Sequence, residues 1–285
     1  MVKGDQNGRC NDYSPPYLLS RLTFAEIERE IVRFPAVVLP LGGSEPYGPR
    51  AALGLASACS EAIASALSRR YGMLMAPTLH YGCSTPYSAF GGAAGMKPRT
   101  LTNILCEILR RFRRQGICFV VIIDPLLDNG PALDETVNRL KNWDRNLQVV
   151  TFGLQREERV RAFIGRRCTI NEFGRSEFVM LSLASHIDPR LVRVDTAPGR
   201  EIAVSTQELY RKWRRRGADP QQFRLFFPDA STGMGGCTYD SKIGGELLEF
   251  IIALIDETLA PLLSPLRAAP GTLNCKEGDG GSQNI

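Results

Sequence analysis

The sequence is poor in histidine, with two residues of this type among 285, His80 and His186. Its eight cysteines are scattered and form no Cys-x-x-Cys pair, which favours free thiols over disulfides or a cysteine metal site. No apolar run approaches the roughly 20 residues that a membrane helix needs. No apolar segment follows Lys3, so no secretory signal is predicted. We therefore expect a cytoplasmic protein that has no histidine-rich metal site and does not bind a membrane.

The net charge is modest, at +5. The densest basic runs, residues 110–114 and 211–216, fall late in predicted helices. Cations at that end complement the helix dipole and lie on a solvated face. We therefore expect no nucleic-acid partner.

Strand-like apolar runs alternate with amphipathic helical segments along the chain. Leu101–Phe112 carries one apolar stripe of helical spacing,, whereas Ile117–Ile123 is continuously apolar, as in a strand buried on both faces,. This alternation predicts an α/β fold with three layers, α/β/α, around a mostly parallel sheet. The predicted strands are 36–41, 73–77, 117–123 and 147–152, and the predicted helices are 23–33, 57–71, 101–112, 131–143, 155–164, 175–187, 205–216 and 242–259.

One α/β domain is predicted over residues 23–265, between an irregular arm at 1–22 and a flexible polar tail at 266–285. Functional sites in parallel sheets lie beyond the C-terminal ends of the strands. Here those ends lead into Leu41–Gly48, Thr78–Ser84 and Asp124–Gly130. We expect the site in these three segments.

The segment Leu39–Arg50 resembles the signature of the creatininase (creatinine amidohydrolase) family, in which Glu-x-His-Gly-Pro-His is followed by an Asp. Further matches come in the family's order. They are Ala76-Pro77, Tyr81-Gly82-x-Ser84, Phe90-x-Gly92, Pro98-x-Thr100-Leu101, Ile122-Ile123-Asp124 with Asn129, Asn171–Glu177, and the pair Gly233 and Gly244. The resemblance spans roughly residues 20–260 and implies the family's fold and a homo-oligomer, either a hexamer or a dimer.

Typical members of that family hold two metal ions, usually zinc or manganese, which activate water against a small amide. This sequence departs from their ligand set. Where ligands are expected it has Tyr47, Arg50 and Leu126 for three His, Ala56 for the bridging Asp and Glu172 for another His. We therefore expect neither the dinuclear metal site nor a cofactor, while the remaining carboxylates leave a Mg²⁺ or Ca²⁺ site open.

Three carboxylates persist at ligand-like places. Glu45 and Glu177 match the family's first and last Glu, and Asp128 matches a carboxylate that some members use. Crowded carboxylates raise one another's pKa, which provides a general acid beside a general base. Tyr47 and Arg50 would stabilise an oxyanion or bind a substrate carboxylate. The predicted catalytic residues are thus Glu45, Tyr47, Arg50, Asp128 and Glu177.

The other polar residues of these segments are candidates for binding a small-molecule substrate. They are His80, Cys83, Ser84, Tyr87, Glu172 and Arg175. Cys83 with His80 as its base, or Cys237, offers an alternative nucleophile, although isolated loop cysteines are mostly inert.

Three functional hypotheses follow. The first is a metal-independent enzyme that acts on a small amide-like, cyclic or carbonyl substrate, such as a biosynthetic tailoring enzyme. The second is an inactive pseudoenzyme that serves as a binding or scaffold subunit. The third is a residual metal-dependent amidohydrolase with altered ligands.

Overall fold

The computed structural model describes residues 17–167, 172–193, 195, 219–231 and 239–268, with the backbone alone described for 172–175. The predicted helix 205–216 and Cys237 lie outside these ranges. Among the described residues, no helix combines the length and apolarity needed to cross a membrane.

The centre of the fold is a four-stranded sheet. Its strands are β1 (Ala36–Pro40), β2 (Leu74–Met75), β3 (Phe119–Asp124) and β4 (Gln148–Gly153). The strand order is β2-β1-β3-β4, and every neighbouring pair is parallel. The predicted parallel sheet is confirmed, and all four C-terminal ends lie at one edge.

Helices follow the strands in alternation. They are α1 (Phe24–Arg33), α2 (Leu55–Tyr71), α3 (Pro98–Arg114), α4 (Gly130–Trp143), α5 (Glu158–Gly165), α6 (Glu172–Ile187), α7 (Pro220–Phe226) and α8 (Ser241–Ala268), with 3-10 turns at Leu19–Arg21, Thr85–Tyr87 and Pro189–Leu191. Thr23 and Glu26 form the reciprocal capping box that the sequence predicts for α1,. The first of the 3-10 turns lies within the segment predicted to be irregular.

The last helix is longer than predicted, since it continues past residue 259 through Pro261 and Pro265. Each proline removes one helical hydrogen bond. Leu263 and Leu266 of this extension are nevertheless buried in the core, and their burial stabilises the extra turns.

The strand residues alternate between two apolar layers. Ala36, Val38 and Val121 pack in the layer that contains α2, α6 and α8, whereas Val37 and Val120 pack in the layer that contains α3 and α4. The helices thus cover both faces of the sheet, as the three-layer architecture requires.

Helices α6 and α8 approach each other closely at Gly244. A Cβ built on this residue would overlap the backbone carbonyl oxygen of Ser182. Asp240 precedes α8 and accepts hydrogen bonds from the N–H groups of Lys242 and Ile243, while its own N–H donates to Ser182 Oγ. This contact fixes the position of α6, which carries Glu177, relative to α8.

We predict that Gly244→Ala lowers the free energy of unfolding by about 1–3 kcal/mol, because the added methyl group meets backbone atoms that cannot rotate away. Urea unfolding followed by circular dichroism measures the change. Gly91→Ala is the control, because a Cβ at Gly91 meets nothing within 4 Å. Equal losses in the two variants would contradict the close packing.

Candidate functional site

The segment after β1 is hydrogen-bonded to both neighbouring strand exits. Leu41 N–H donates to the carbonyl oxygen of Ile123 at 2.9 Å, and Gly42 N–H donates to that of Leu79 at 2.8 Å. The three segments predicted to form the site therefore meet at the C-terminal edge of the sheet.

Leu126 packs where these segments converge. A Cβ built on Gly43 would overlap Leu126 Cδ1, and one built on Gly82 would lie 2.8 Å from the same atom. The leucine side chain, only 1% exposed, thus occupies the space that the two glycines leave open. An apolar group stands there in place of the imidazole that the family resemblance implies.

Asn129 ties the exit of β3 to the loop after β2. Its Oδ1 accepts a hydrogen bond from Cys83 N–H at 2.7 Å, and its Nδ2 donates to Asp124 Oδ1 at 2.8 Å. Asp124 Oδ1 also accepts from Leu126 N–H at 3.1 Å. This buried bridge fixes the backbone that carries Leu126 and Cys83.

Asp124 is a carboxyl group inside the protein. Burial raises its pKa to about 7, although the hydrogen bonds from Asn129 and Leu126 N–H and the charge of Arg156 oppose the shift. Within the described part of the chain, the buried Oδ2 atom has no hydrogen-bond partner. Burial without full pairing disfavours the charged form, so this carboxyl changes its protonation near neutral pH.

Glu177 on α6 lies against the turn after β1. Ser231 Oγ donates to Glu177 Oε2 at 2.8 Å. Gly48 has a φ of +73°, and a Cβ there would lie 2.5 Å from Glu177 Oε1. Glycine at this position therefore serves both the left-handed turn and the close approach of the carboxylate.

The same turn contains Glu45 and Tyr47, which are 3% and 5% exposed. Tyr47 Oη accepts a hydrogen bond from Gln155 Nε2 at 2.9 Å. Glu177 on α6 thus approaches the turn that contains Glu45, Tyr47 and Gly48.

The other two predicted catalytic residues are Arg50, just after this turn, and Asp128, in the β3 exit. Arg50 is half-buried, and its carbonyl oxygen accepts from Arg193 N–H at 2.9 Å. Asp128 follows Leu126 in the β3 exit, is half-buried, and lies near enough to Cys83 to raise the pKa of its thiol.

His80 faces a different space. Its Nδ1 atom lies 3.1 Å from Ser57 Oγ, and the residue lines an open groove of about 610 Å³ together with Leu18, part of α2 and Pro189–Arg190. Glu45, Tyr47 and Glu177 do not line this groove.

Two other substrate-binding candidates, Ser84 and Tyr87, are buried by packing. Ser84 is 0% exposed and is covered by Gly95, where a Cβ would lie 2.7 Å from Ser84 Oγ. Tyr87 packs edge-to-face on Phe223 at 5.1 Å between ring centroids. The side chains of Glu172 and Arg175 lie outside the described residues.

Cys83 is buried, and burial raises the pKa of its thiol to about 12, with Asp128 and Asp124 acting in the same direction. A nucleophilic cysteine needs the thiolate, so this environment does not support the nucleophile alternative. His80, the base in that alternative, has its Nδ1 atom 3.1 Å from Ser57 Oγ and lines the open groove.

Sequence reasoning assigned no role to Asp124, Gln155 or Ser231. Asp124 had one usable signal, an acidic residue that ends a fully apolar strand. Gln155 and Ser231 had none, because their partners Tyr47 and Glu177 are distant along the chain.

The chain is similar to two sets of known proteins. Mycofactocin precursor peptide peptidases from Mycobacterium ulcerans (strain Agy99) and Mycobacterium tuberculosis (strain CDC 1551 / Oshkosh) are each 28% identical to it over 125 residues. The matches cover 40% and 39% of this chain and 48% of each peptidase. The matching region thus spans about half the length of these curated relatives.

Solved structures share the fold. A manganese creatininase has a TM-score of 0.69 at 19% identity, over 87% of this chain and 99% of its own. A putative creatinine amidohydrolase from Bacteroides fragilis NCTC 9343 has a TM-score of 0.64 at 15% identity, over 88% and 96%. The predicted creatininase-like α/β fold is confirmed.

A dinuclear metal centre does not fit the donors that the structure describes. Among those residues, no three His, Cys, Asp or Glu side chains are placed to hold one metal ion. The methyl group of Leu126 lies between Gly43 and Gly82, and apolar atoms supply no electron pair to a metal.

We predict that Asp124→Asn stabilises the protein more at pH 8 than at pH 5. The pKa of Asp124 is about 7 in the folded chain, above the ordinary value of 3.8. Binding of this proton therefore stabilises the folded protein fully below pH 4. That stabilisation is lost as the pH rises through 7. Asparagine removes that loss, which amounts to about 3 kcal/mol between the two pH values.

Urea unfolding of both proteins at pH 5 and pH 8 measures the effect. Asp195→Asn, at an exposed position, is the control and should change nothing. The same stability difference at both pH values would show that Asp124 stays ionised in the folded protein.

Family membership rests on the extent of the match as well as on the fold. The sequence model of the family described as creatinine amidohydrolase, Creatininase, matches residues 20–249, which is most of the chain. The turn around Gly48 and the β3 exit lie inside this range and carry the departures from the family signature. The chain belongs to the creatininase family.

Proposed function

We propose that this protein is a metal-independent hydrolase that cleaves a C–N bond in a small amide-like or cyclic substrate. One observation carries the proposal. Glu177, fixed by Ser231, lies against Gly48 in the turn that also buries Glu45 and Tyr47. Buried carboxylates are costly to keep, and they concentrate at catalytic sites.

The reaction class is taken from the relatives. The names creatinine amidohydrolase and precursor peptide peptidase both describe hydrolysis of a C–N bond. Retention of Glu45 and Glu177 at family positions, on the family's fold, supports hydrolysis for this chain as well.

In the proposed mechanism, Glu45 accepts a proton from water as the water oxygen adds to the substrate carbonyl carbon. Tyr47 donates a hydrogen bond to the resulting oxyanion. Glu177, in its protonated form, gives its proton to the leaving nitrogen as the C–N bond breaks. Amide and water are thereby converted to a carboxylic acid and an amine, and a proton passing from Glu45 to Glu177 through solvent completes the cycle.

Arg50 and Asp128 are proposed to bind the substrate. Arg50 comes two residues after Gly48, and its guanidinium suits a substrate carboxylate or the oxyanion. Asp128 follows Leu126 on the neighbouring strand exit and would accept a hydrogen bond from a substrate N–H group.

One observation favours a second candidate, an inactive binding subunit. Leu126 occupies the space between Gly43 and Gly82, and an apolar side chain there removes a position for a catalytic group. On this alternative, Glu45, Tyr47 and Glu177 would bind a ligand without converting it.

We predict that Glu45→Gln and Glu177→Gln each reduce kcat/KM by about 100- to 10,000-fold, because each removes one proton transfer. The assay screens purified protein, in the presence of a chelator, against linear amides, lactams, cyclic ureides and short peptides, and detects the released amine. Glu28→Gln, at an exposed site on α1, is the control and should retain full activity.

The screen also separates the two candidates. Turnover by wild type that both site variants lose supports the enzyme. Ligand binding detected by calorimetry with no amine released supports the binding subunit, and turnover that both site variants retain contradicts the proposed mechanism.

A further inference from the structure

The side-chain amide of Gln155 connects four parts of the site. Its Nε2 donates to Tyr47 Oη at 2.9 Å and to the carbonyl oxygen of Pro125 at 2.7 Å. Its Oε1 accepts from Ser176 Oγ. Gln155 follows β4, and its partners lie in the turn after β1, in the exit of β3 and on α6.

These partners allow one orientation of the amide. A backbone carbonyl oxygen can only accept a hydrogen bond, so the nitrogen of Gln155 must face Pro125. The oxygen of the amide then faces Ser176, whose hydroxyl donates to it. Both hydrogens of the NH₂ group are thereby used, one for Pro125 and one for Tyr47.

This orientation also sets the direction of the hydrogen bond at Tyr47. The phenol oxygen accepts from Gln155, so the phenol's own hydrogen must point away from Gln155. Because the Tyr47 side chain is 5% exposed and packed in the core, its ring has little freedom to turn elsewhere.

We propose that Gln155 is a positioning residue that keeps Tyr47 oriented as a hydrogen-bond donor toward the substrate. A hydrogen bond donated to the phenol oxygen also stabilises negative charge that develops there, which strengthens Tyr47 as a donor. This inference rests on the proposed function, in which Tyr47 donates to the oxyanion.

Two substitutions test this role, one by removing the hydrogen bond to Tyr47 and one by reversing its direction. Gln155→Leu removes the amide at nearly constant size. Gln155→Glu replaces the donor by a carboxylate, which would accept a hydrogen bond from Tyr47 and so reverse its direction. Both are expected to lower kcat by about 10- to 100-fold and to leave KM within about threefold, because the interaction acts on the oxyanion and not on the bound substrate.

The decisive arm repeats Gln155→Leu in a Tyr47→Phe background. If Gln155 acts through Tyr47, the second substitution causes no further loss of kcat. Gln148→Leu, at an exposed position on β4, is the matched control and should resemble wild type. An equal loss of kcat in the presence and absence of the Tyr47 hydroxyl would overturn the inference.

A spectroscopic arm keeps the test independent of turnover. The ultraviolet pH titration of wild type minus that of Tyr47→Phe isolates the ionisation of one phenol. The same difference is then taken between Gln155→Leu and the double variant Gln155→Leu/Tyr47→Phe. Its midpoint should lie at higher pH than in wild type, because the Tyr47 phenolate loses a hydrogen-bond donor. An unchanged midpoint overturns the positioning role, whereas a shifted midpoint in a protein without turnover supports it and contradicts the proposed function instead.

Discussion

The packing of Leu126 against Gly43 and Gly82 determines how the ends of β1 and β3 meet the loop after β2. A Cβ at either position would lie within 2.8 Å of the leucine methyl group, so Leu126 would have to shift. The bridge from Cys83 N–H through Asn129 to Asp124 fixes the same backbone from its polar side. This packing fixes where the turn that contains Glu45, Tyr47 and Gly48 begins, at the C-terminal edge of the sheet.

Around that contact, the polar groups form two separate sets. Asp124 and Asn129 lie beneath Leu126 and hold the β3 exit. Gln155 and Tyr47, with Ser176, lie on the side of α6, where Glu177 reaches Gly48. The chain thereby retains buried acidic and hydrogen-bonding groups in the segments where the family resemblance implies metal ligands, and this is the physical basis for proposing chemistry without a metal.

Much of the fold could be predicted because its signals are local. The apolar run before Asp124 indicated a buried strand, and Thr23 with Glu26 indicated the start of α1. The family motifs placed Glu45 and Tyr47 after the first strand and Glu177 on a later helix, and the structure brings that helix against the turn at Gly48. Gln155 could not be predicted, because Tyr47 is 108 positions away. Tyr87 was expected to bind a ligand, but its ring partner Phe223 becomes visible only in three dimensions. Helix α8 continues past the predicted end at residue 259, through Pro261 and Pro265, because Leu263 and Leu266 are buried in the core.

We propose hydrolysis of an amide bond at this site without a metal ion. The most direct test measures turnover and metal content on the same sample, by amine release and by inductively coupled plasma mass spectrometry, before and after dialysis against dipicolinate. We expect the rate per chain to stay constant while zinc, manganese and iron fall far below one ion per chain. A rate that declines in proportion to the metal removed, and returns when zinc or manganese is added, would contradict it.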